Sequence, residues 1–281
     1  MFGECTLFRL FLSFFSDHLL CLVLAVCVLH VTPVSANGVG DNPEPQVARI
    51  LVEHWPPWQI ADDDRRQLVT RGYAIEIIEE LFHRLNVPVE FQYAPWRRSL
   101  RLIQTGGADV LPMVSEHPDR APYMAFTVPV YQDPILLAYS RDTYKYFNWQ
   151  QWADLKDYSI RAVRGYNYGD NWRKAVQTHG LKVRESATDN QNLKMLEQGR
   201  IELTPLLYSN GVSLMDRNGY RNIRFADKPI FTTVLRFGLS KQSFLIERLP
   251  EINIQLNAMK QDGTFARILG ELYRPRFQDA R

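Results

Sequence analysis

Cysteine is scarce and confined. Cys5, Cys21 and Cys27 are the only three in 281 residues, and none follows. A disulfide framework beyond residue 27 is therefore excluded, and an exported chain of this kind relies on a core large enough to stand without staples. A surplus of one charge is missing too. Thirty-three Lys and Arg face 31 Asp and Glu, for a net +2, which is too balanced for a nucleic-acid partner. The N-terminal apolar run, Leu19–Val31, has 13 residues, short of the roughly 20 that span a bilayer. Catalytic signatures are absent: there is no G-x-S-x-G, H-E-x-x-H or G-x-G-x-x-G, and no Walker ending. His54, His83, His117 and His179 lie without metal-ligand spacing, so neither a metal nor a cofactor is expected.

What is present begins with a leader. "VSA", Val34–Ala36, puts small residues where a signal peptidase cuts, before Asn37. Residues 1–36 read as a signal peptide, with an uncleaved anchor as the alternative, and export to the periplasm follows. Residues 37–46, "NGVGDNPEPQ", read as a flexible lead-in.

Two passages then say nearly the same thing. "LIQTGGADVLPMVS" (Leu102–Ser115) and "MLEQGRIELTPLLYS" (Met195–Ser209) each carry an apolar pair, a Gly, an acid three residues on and a Pro three further. Each sits at the end of a βαβαβ alternation, the pattern of a sheet covered by helices. The first unit comprises strand 47–52, helix 73–85, strand 87–93, helix 99–104 and strand 108–114. The second comprises strand 160–163, helix 170–178, strand 183–185, helix 190–198 and strand 201–207. Strands at 135–139 and 233–240 and a helical region at 249–273, broken at Gly263, complete the chain. A repeated unit implies repeated architecture, so two similar lobes are expected. The repeated acids, Asp109 and Glu202, read as capping or pairing groups near the turn.

Chemistry-bearing residues cluster after the strands, where ligand sites of α/β sheets lie. In "HWPPW" (His54–Trp58) Trp55 is expected to face a ligand and Trp58 to pin the loop to the core. In "APWRRSL" (Ala94–Leu100) Trp96 is either a wall or a plug over the sheet edge. Arg97 and Arg98 open a helix whose N-terminus ordinarily prefers acids. Ser115 and Arg120, in "SEHPDRAPY", offer a hydroxyl and a guanidinium fork suited to a carboxylate, although a surface Arg would present the same spacing. "RGYNYGDNW" (Arg164–Trp172) supplies a turn at Gly165 and Asp170 or Asn171 as a helix cap.

These clusters in this order resemble the bacterial extracellular solute-binding proteins of family 3, over roughly 47–273. "WPPW" resembles that family's aromatic-Pro-aromatic loop, "GYAIEI" its G-F-D-V-D-L and "GGADV" its G-x-x-D-V. "SEHPDR" and "FTVPVY" resemble its T-P-E-R and F-S-x-P-Y, "GRIEL" its G-R-V-D-A and "DGTFARI" its D-G-T-x-x-K-I. The resemblance implies an α/β, two-lobed periplasmic-binding-protein type II fold, with two βαβ-built lobes joined by two crossing hinge segments. One lobe would take 47–134 and 235–281, and the other 135–234. It further implies Trp55 and Trp96 as aromatic walls, Ser115 and Arg120 as a carboxylate clamp, and Tyr166 or Asn167 completing it. The family usually places an ammonium-binding Asp just past the second repeat, where this chain has Leu207 and Tyr208. Tyr208 is therefore carried as a site residue in a place where the acid is missing. The implied function is capture of a small carboxylated ligand, an amino acid or derivative, by a monomeric non-enzyme, for an ABC permease or for sensing. An enzyme on the same scaffold, dehydrating cyclic carboxylic acids, is the alternative, with Glu53 or Glu116 as its acid; a membrane-anchored sensory input module is the third.

Overall fold

The structure is a computed structural model that describes residues 46–64 and 67–273, with backbone only between 61 and 69. The expected signal peptide over 1–36 and the expected lead-in over 37–46, all but its last residue, lie outside the described residues.

The elements run in chain order as follows. β1 (Ala48–Val52) leads to the hairpin β2 (Ile60–Asp64) and β3 (Gln67–Arg71), then α1 (Tyr73–Arg84), β4 (Val89–Tyr93), α2 (Trp96–Gln104), β5 (Val110–Ser115) and β6 (Met124–Phe126). β7 (Tyr131–Ser140) leads to β8 (Ile160–Val163), α3 (Asp170–Thr178), β9 (Val183–Ser186), α4 (Asp189–Glu197), β10 (Thr204–Leu207) and α5 (Tyr208–Asn218). β11 (Ile223–Ser240) returns to α6 (Leu249–Gln261) and α7 (Thr264–Leu269).

One sheet has the order β10-β7-β11-β5-β1-β4, with β6 on β11. β1 is parallel to both β4 and β5, as the first βαβαβ unit requires. In the second unit β8 is parallel to β9, and Leu203 bridges to Ile160 in the same sense. β7 and β11 are the long crossings. β11 pairs with β7 from Ile223 to Leu235 and with β5 from Leu235 to Leu239. The expected lobe boundaries at 134/135 and 234/235 fall inside these two strands.

α1 shows why the sequence folds locally as it does. Ile75, Ile78, Leu81 and Phe82 recur at helical spacing and are buried, each contributing roughly 1.5–3 kcal/mol of apolar burial. The helix starts at Gly72, whose φ of 120° and whose absent Cβ, which would stand 2.7 Å from Pro57 O and Trp58 O, admit only glycine. Backbone N–H groups of Tyr73 and Ala74 then bond to those same carbonyls, at 3.2 and 3.0 Å, seating the HWPPW loop on α1. Trp58 is wholly buried, as expected for an anchor.

The repeated turn is present in both units. Gly106 (φ 70°) ends α2 and Gly199 (φ 65°) follows α4. The two acids are structural, as read. Asp109, 2% exposed, accepts from Arg49 Nε at 2.8 Å, Nη2 at 3.1 Å and its backbone N–H at 2.9 Å. Glu202 accepts from the Ser159 backbone N–H at 2.8 Å and from the Tyr144 hydroxyl.

Several elements depart from expectation, among them the hairpin β2–β3 and the short strand β6, neither of which was expected. α5 was not expected, because Tyr208–Asn218 holds two Ser, an Asn and a Gly, all weak helix formers. Tertiary contacts carry it instead: Gly211 lies against Leu206 and Phe225, and the Asp133 carboxylate accepts the Ser209 N–H at 3.0 Å. β11 is 18 residues long rather than eight, running through Asp227-Lys228-Pro229 with register shifts on either side of Pro229. α3 is capped by Gly169 (φ 86°), not by Asp170 or Asn171, which lie inside it.

Candidate functional site

The post-strand clusters converge on one cleft. From the first unit come Glu53 and Trp55 after β1, Trp96 opening α2, Ser115 closing β5 and Arg120 in the loop beyond. From the second come Tyr166 and Asn167 after β8. The crossing strands supply the floor through Ile135, Thr233 and Leu235, around a cavity of about 50 Å³. β5 reaches its end through Met113, which has a φ of 55°. A left-handed Met is strained and persists only where its surroundings fix it; here the turn redirects the strand just before Ser115.

Arg120 is the chief cation of the cleft and is only 5% exposed. Its Nη1 donates to Ser115 O at 2.7 Å and Oγ at 3.1 Å, and Nη2 donates to Gly165 O at 3.0 Å. Its Cζ lies 5.2 Å from the Trp96 ring centre. Every one of these hydrogen-bond acceptors is uncharged, and burial pulls the guanidinium below its ordinary pKa. The surface-Arg alternative is therefore set aside.

The aromatic residues meet as expected, and one more joins them. Tyr166 packs edge-on to Trp55 at 6.5 Å and to Trp96 at 5.5 Å. Trp96 Nε1 donates to Gly165 O at 3.2 Å, so Trp96 is a cleft wall rather than a plug. Gly165 sits at φ 81°, with a substituted Cβ 3.3 Å from that indole nitrogen. Asn167 Nδ2 reaches Ser115 Oγ and Glu116 O at 3.4 Å.

Two carboxyl groups complete the cleft. Glu53 lines the cavity near the start of α2, where the Trp96 backbone favours its charged form. Burial, and then the neighbouring Asp189, push it up to about 8. Asp189, 4% exposed, stands behind the aromatic rings and accepts from Trp55 Nε1 at 3.2 Å and from Tyr166. Burial raises it to about 7. Asp189 was not among the expected site residues. Thr188 and Gln191 announce a capped helix start, the Thr188 side chain accepting Gln191 N–H, and a first-turn acid there reads as ordinary dipole complementation. Nothing in the sequence ties it to Trp55, 134 positions away.

Tyr208 is not brought to this cleft. It opens α5, packs on Phe225 at 5.3 Å and lines a separate cavity. Arg97 and Arg98 are exposed and do not line the cleft.

Comparison with known proteins identifies the fold and the family. A cystine-binding protein of Bacillus subtilis (strain 168), L-cystine-binding protein TcyA, is 24% identical over 217 residues, 76% of each chain. A histidine kinase sensor domain with similarity to periplasmic binding proteins superposes with a TM-score of 0.71 at 17% identity, covering 82% of this chain and 96% of that one. An ancestral arginine-binding protein bound to arginine does so with 0.69 at 20% identity, covering 81% and 98%. The fold is the two-lobed α/β fold of these binding proteins. The model of bacterial extracellular solute-binding proteins, family 3, matches residues 49–273, and the chain belongs to that family.

Proposed function

We infer that the protein is an exported, monomeric receptor that holds a small carboxylated ligand, an amino acid or derivative, between its lobes and performs no chemistry on it. The observation that carries this reading is Arg120: a buried guanidinium, aimed with Ser115 into the cleft, whose present acceptors are all neutral. A ligand carboxylate gives such a group the charged, bidentate partner it lacks. Trp55, Trp96 and Tyr166 supply flat apolar walls. Glu53 supplies what the Leu207-Tyr208 position does not, an acid inside the cavity for the ligand's cation. Asp189 reinforces it from behind the rings.

The lobes divide within β7 and β11, and closure about these strands takes the ligand out of water. Delivery to an ABC permease and reporting to a sensor both agree with the relatives, which include an amino-acid transporter's binding protein and a kinase sensor domain. Cleavage before Asn37 would release the receptor into the periplasm.

The test is mass spectrometry of the small molecule carried by protein purified without denaturation. A carboxylate bearing a cationic group is expected, and an uncharged sugar would overturn the reading. The enzyme alternative keeps one specific support: a carboxyl held at about 8 inside the cleft, at Glu53, is poised as a general acid. Release of product from a cyclic carboxylic acid, abolished by Glu53→Gln, would favour it.

A further inference from the structure

A second cavity, about 770 Å³, lies apart from the cleft. Ile135, Thr233 and Leu235 of β7 and β11 line the cleft, whereas Tyr131, Gln132, Asp133 and Thr232 of the same strands line the second cavity. Its volume falls within the range of small-molecule sites, about 300–1,000 Å³. Both lobes build it. Tyr73, Phe265 and Leu272 come from the first, Tyr208, Val212 and Asp216 from α5 of the second, and Tyr131 and Asp133 from the crossing strand β7.

The lining has an apolar body and an acidic edge. Tyr73, Tyr131 and Phe265 present rings beside Val212 and Leu269. Asp133, 2% exposed, is the innermost carboxyl, and Asp216 and Glu271 stand exposed around it. Among the described residues Lys260 is the single basic side chain of the lining. Its ammonium is already committed to Pro129 O at 2.5 Å and lies 5.7 Å from the Phe265 ring centre. Neither Asp216 nor Glu271 forms an ion pair among the described residues. Asp216 and Glu271 against one engaged base leave the rim of this cavity complementary to a cation, and its rings complementary to an apolar body; Asp133 already accepts the Ser209 N–H, and burial raises it to about 7.

We propose that this cavity is a second ligand site, distinct from the cleft, for an amphipathic organic amine: a protonated nitrogen on an aromatic or alkyl body. Because both lobes bound it, a molecule seated in it holds them together and so favours the closed cleft. The amine is therefore a positive effector of the cleft, and by linkage the cleft ligand tightens the amine.

The probe is 2-phenylethylamine, with 3-phenylpropionate as the control of opposite charge. Trp58 reports binding, because its indole N–H bonds to Ser209 Oγ at 2.9 Å and its ring lies 4.6 Å from Tyr131. In a titration of the full protein followed by indole NMR, the Trp58 N–H is expected to shift saturably with the amine and not with the acid. Val212→Trp, which fills the cavity, removes that shift, and Asp216→Lys with Glu271→Lys, on the exposed rim, weakens it tenfold or more. Trp55→Ala in the cleft leaves it in place. Exchange of the Trp96 indole N–H with solvent slows about fivefold or more when the amine is bound. An unshifted Trp58 at the solubility limit overturns the site, equal binding of the acid overturns the ligand class, and loss of the shift in Trp55→Ala assigns the amine to the cleft instead. Unchanged Trp96 exchange overturns the coupling.

Discussion

Replacing Glu53 by Gln should change how stability depends on pH, and the sign is fixed by the direction of its shift. In the unfolded chain a glutamate ionises near 4.5, whereas in the folded protein Glu53 keeps its proton up to about 8. Between those values the folded state binds more protons than the unfolded one. Stability is then full below about 4.5 and falls as pH rises through 8. A difference of that size corresponds to roughly 5 kcal/mol as a ceiling. Water entry, and the coupling to Asp189, itself raised to about 7, halve the realised effect to about 2–3 kcal/mol. Glutamine keeps the shape and cannot ionise. Glu53→Gln should match the wild type at pH 5 and exceed it at pH 9 by about 2 kcal/mol, a melting-temperature difference of about 4–8 °C for a chain of this size. Thermal unfolding followed by circular dichroism at intervals from pH 5 to 9 reads this directly, and titrations common to both proteins cancel in the difference. Parallel curves across that range would refute the claim that Glu53 is held protonated by the cleft.

Further predictions follow the same geometry. If Glu53 accepts the ligand's cation, binding drives its proton off, so affinity for an amino-acid ligand should rise with pH towards 8, and calorimetry in buffers of different ionisation enthalpy should detect proton release. Arg49→Ala removes the guanidinium from the Asp109 carboxylate, which is 3% exposed at its side chain and keeps only the backbone N–H of residue 49 from that residue, and should cost about 1.5–3 kcal/mol in urea unfolding; a loss under about 0.5 kcal/mol would mean that the pair does not hold the turn. Gly165→Ala forces an alanine to φ 81° with its Cβ 3.3 Å from Trp96 Nε1, and should weaken ligand binding about tenfold or more with little loss of melting temperature. Gly211→Ala drives a methyl to 2.6 Å from Leu206 and Phe225 and should destabilise by about 1–3 kcal/mol.

Where a signal was local, the sequence carried it. The apolar spacing of α1, the Gly stops at 106 and 199 and the break at Gly263 are all read from a few neighbouring residues. The matched turns also gave away the second unit, because a shared architecture repeats its helix-to-strand junction. The hairpin β2–β3 was hidden in the acidic run Asp62-Asp63-Asp64. α5 was hidden because its stability comes from Asp133 and Phe225, distant in sequence, rather than from its own residues. The cleft divides in the same way. Trp55, Trp96, Ser115, Arg120, Tyr166 and Asn167 lie just after strands, where position alone makes them candidates, and the series of motifs around them singled them out. Asp189 lies at an ordinary helix start and joins the cleft only through Trp55 and Tyr166. Tyr208 was placed by counting along the second repeat, but the helix that begins there turns it towards Phe225 and a separate cavity.

The central claim is that Arg120 and Ser115 hold a ligand carboxylate. The most direct measurement is calorimetric titration of the protein with the amino acid that binds it most tightly, beside that amino acid's carboxamide, which keeps the ammonium and side chain and loses only the charge. Two charge-assisted hydrogen bonds at about 1.5–3 kcal/mol each should make the amide weaker by roughly 10²-fold or more, and Arg120→Ala should erase most of that preference. An amide that binds as tightly as the acid would contradict the account.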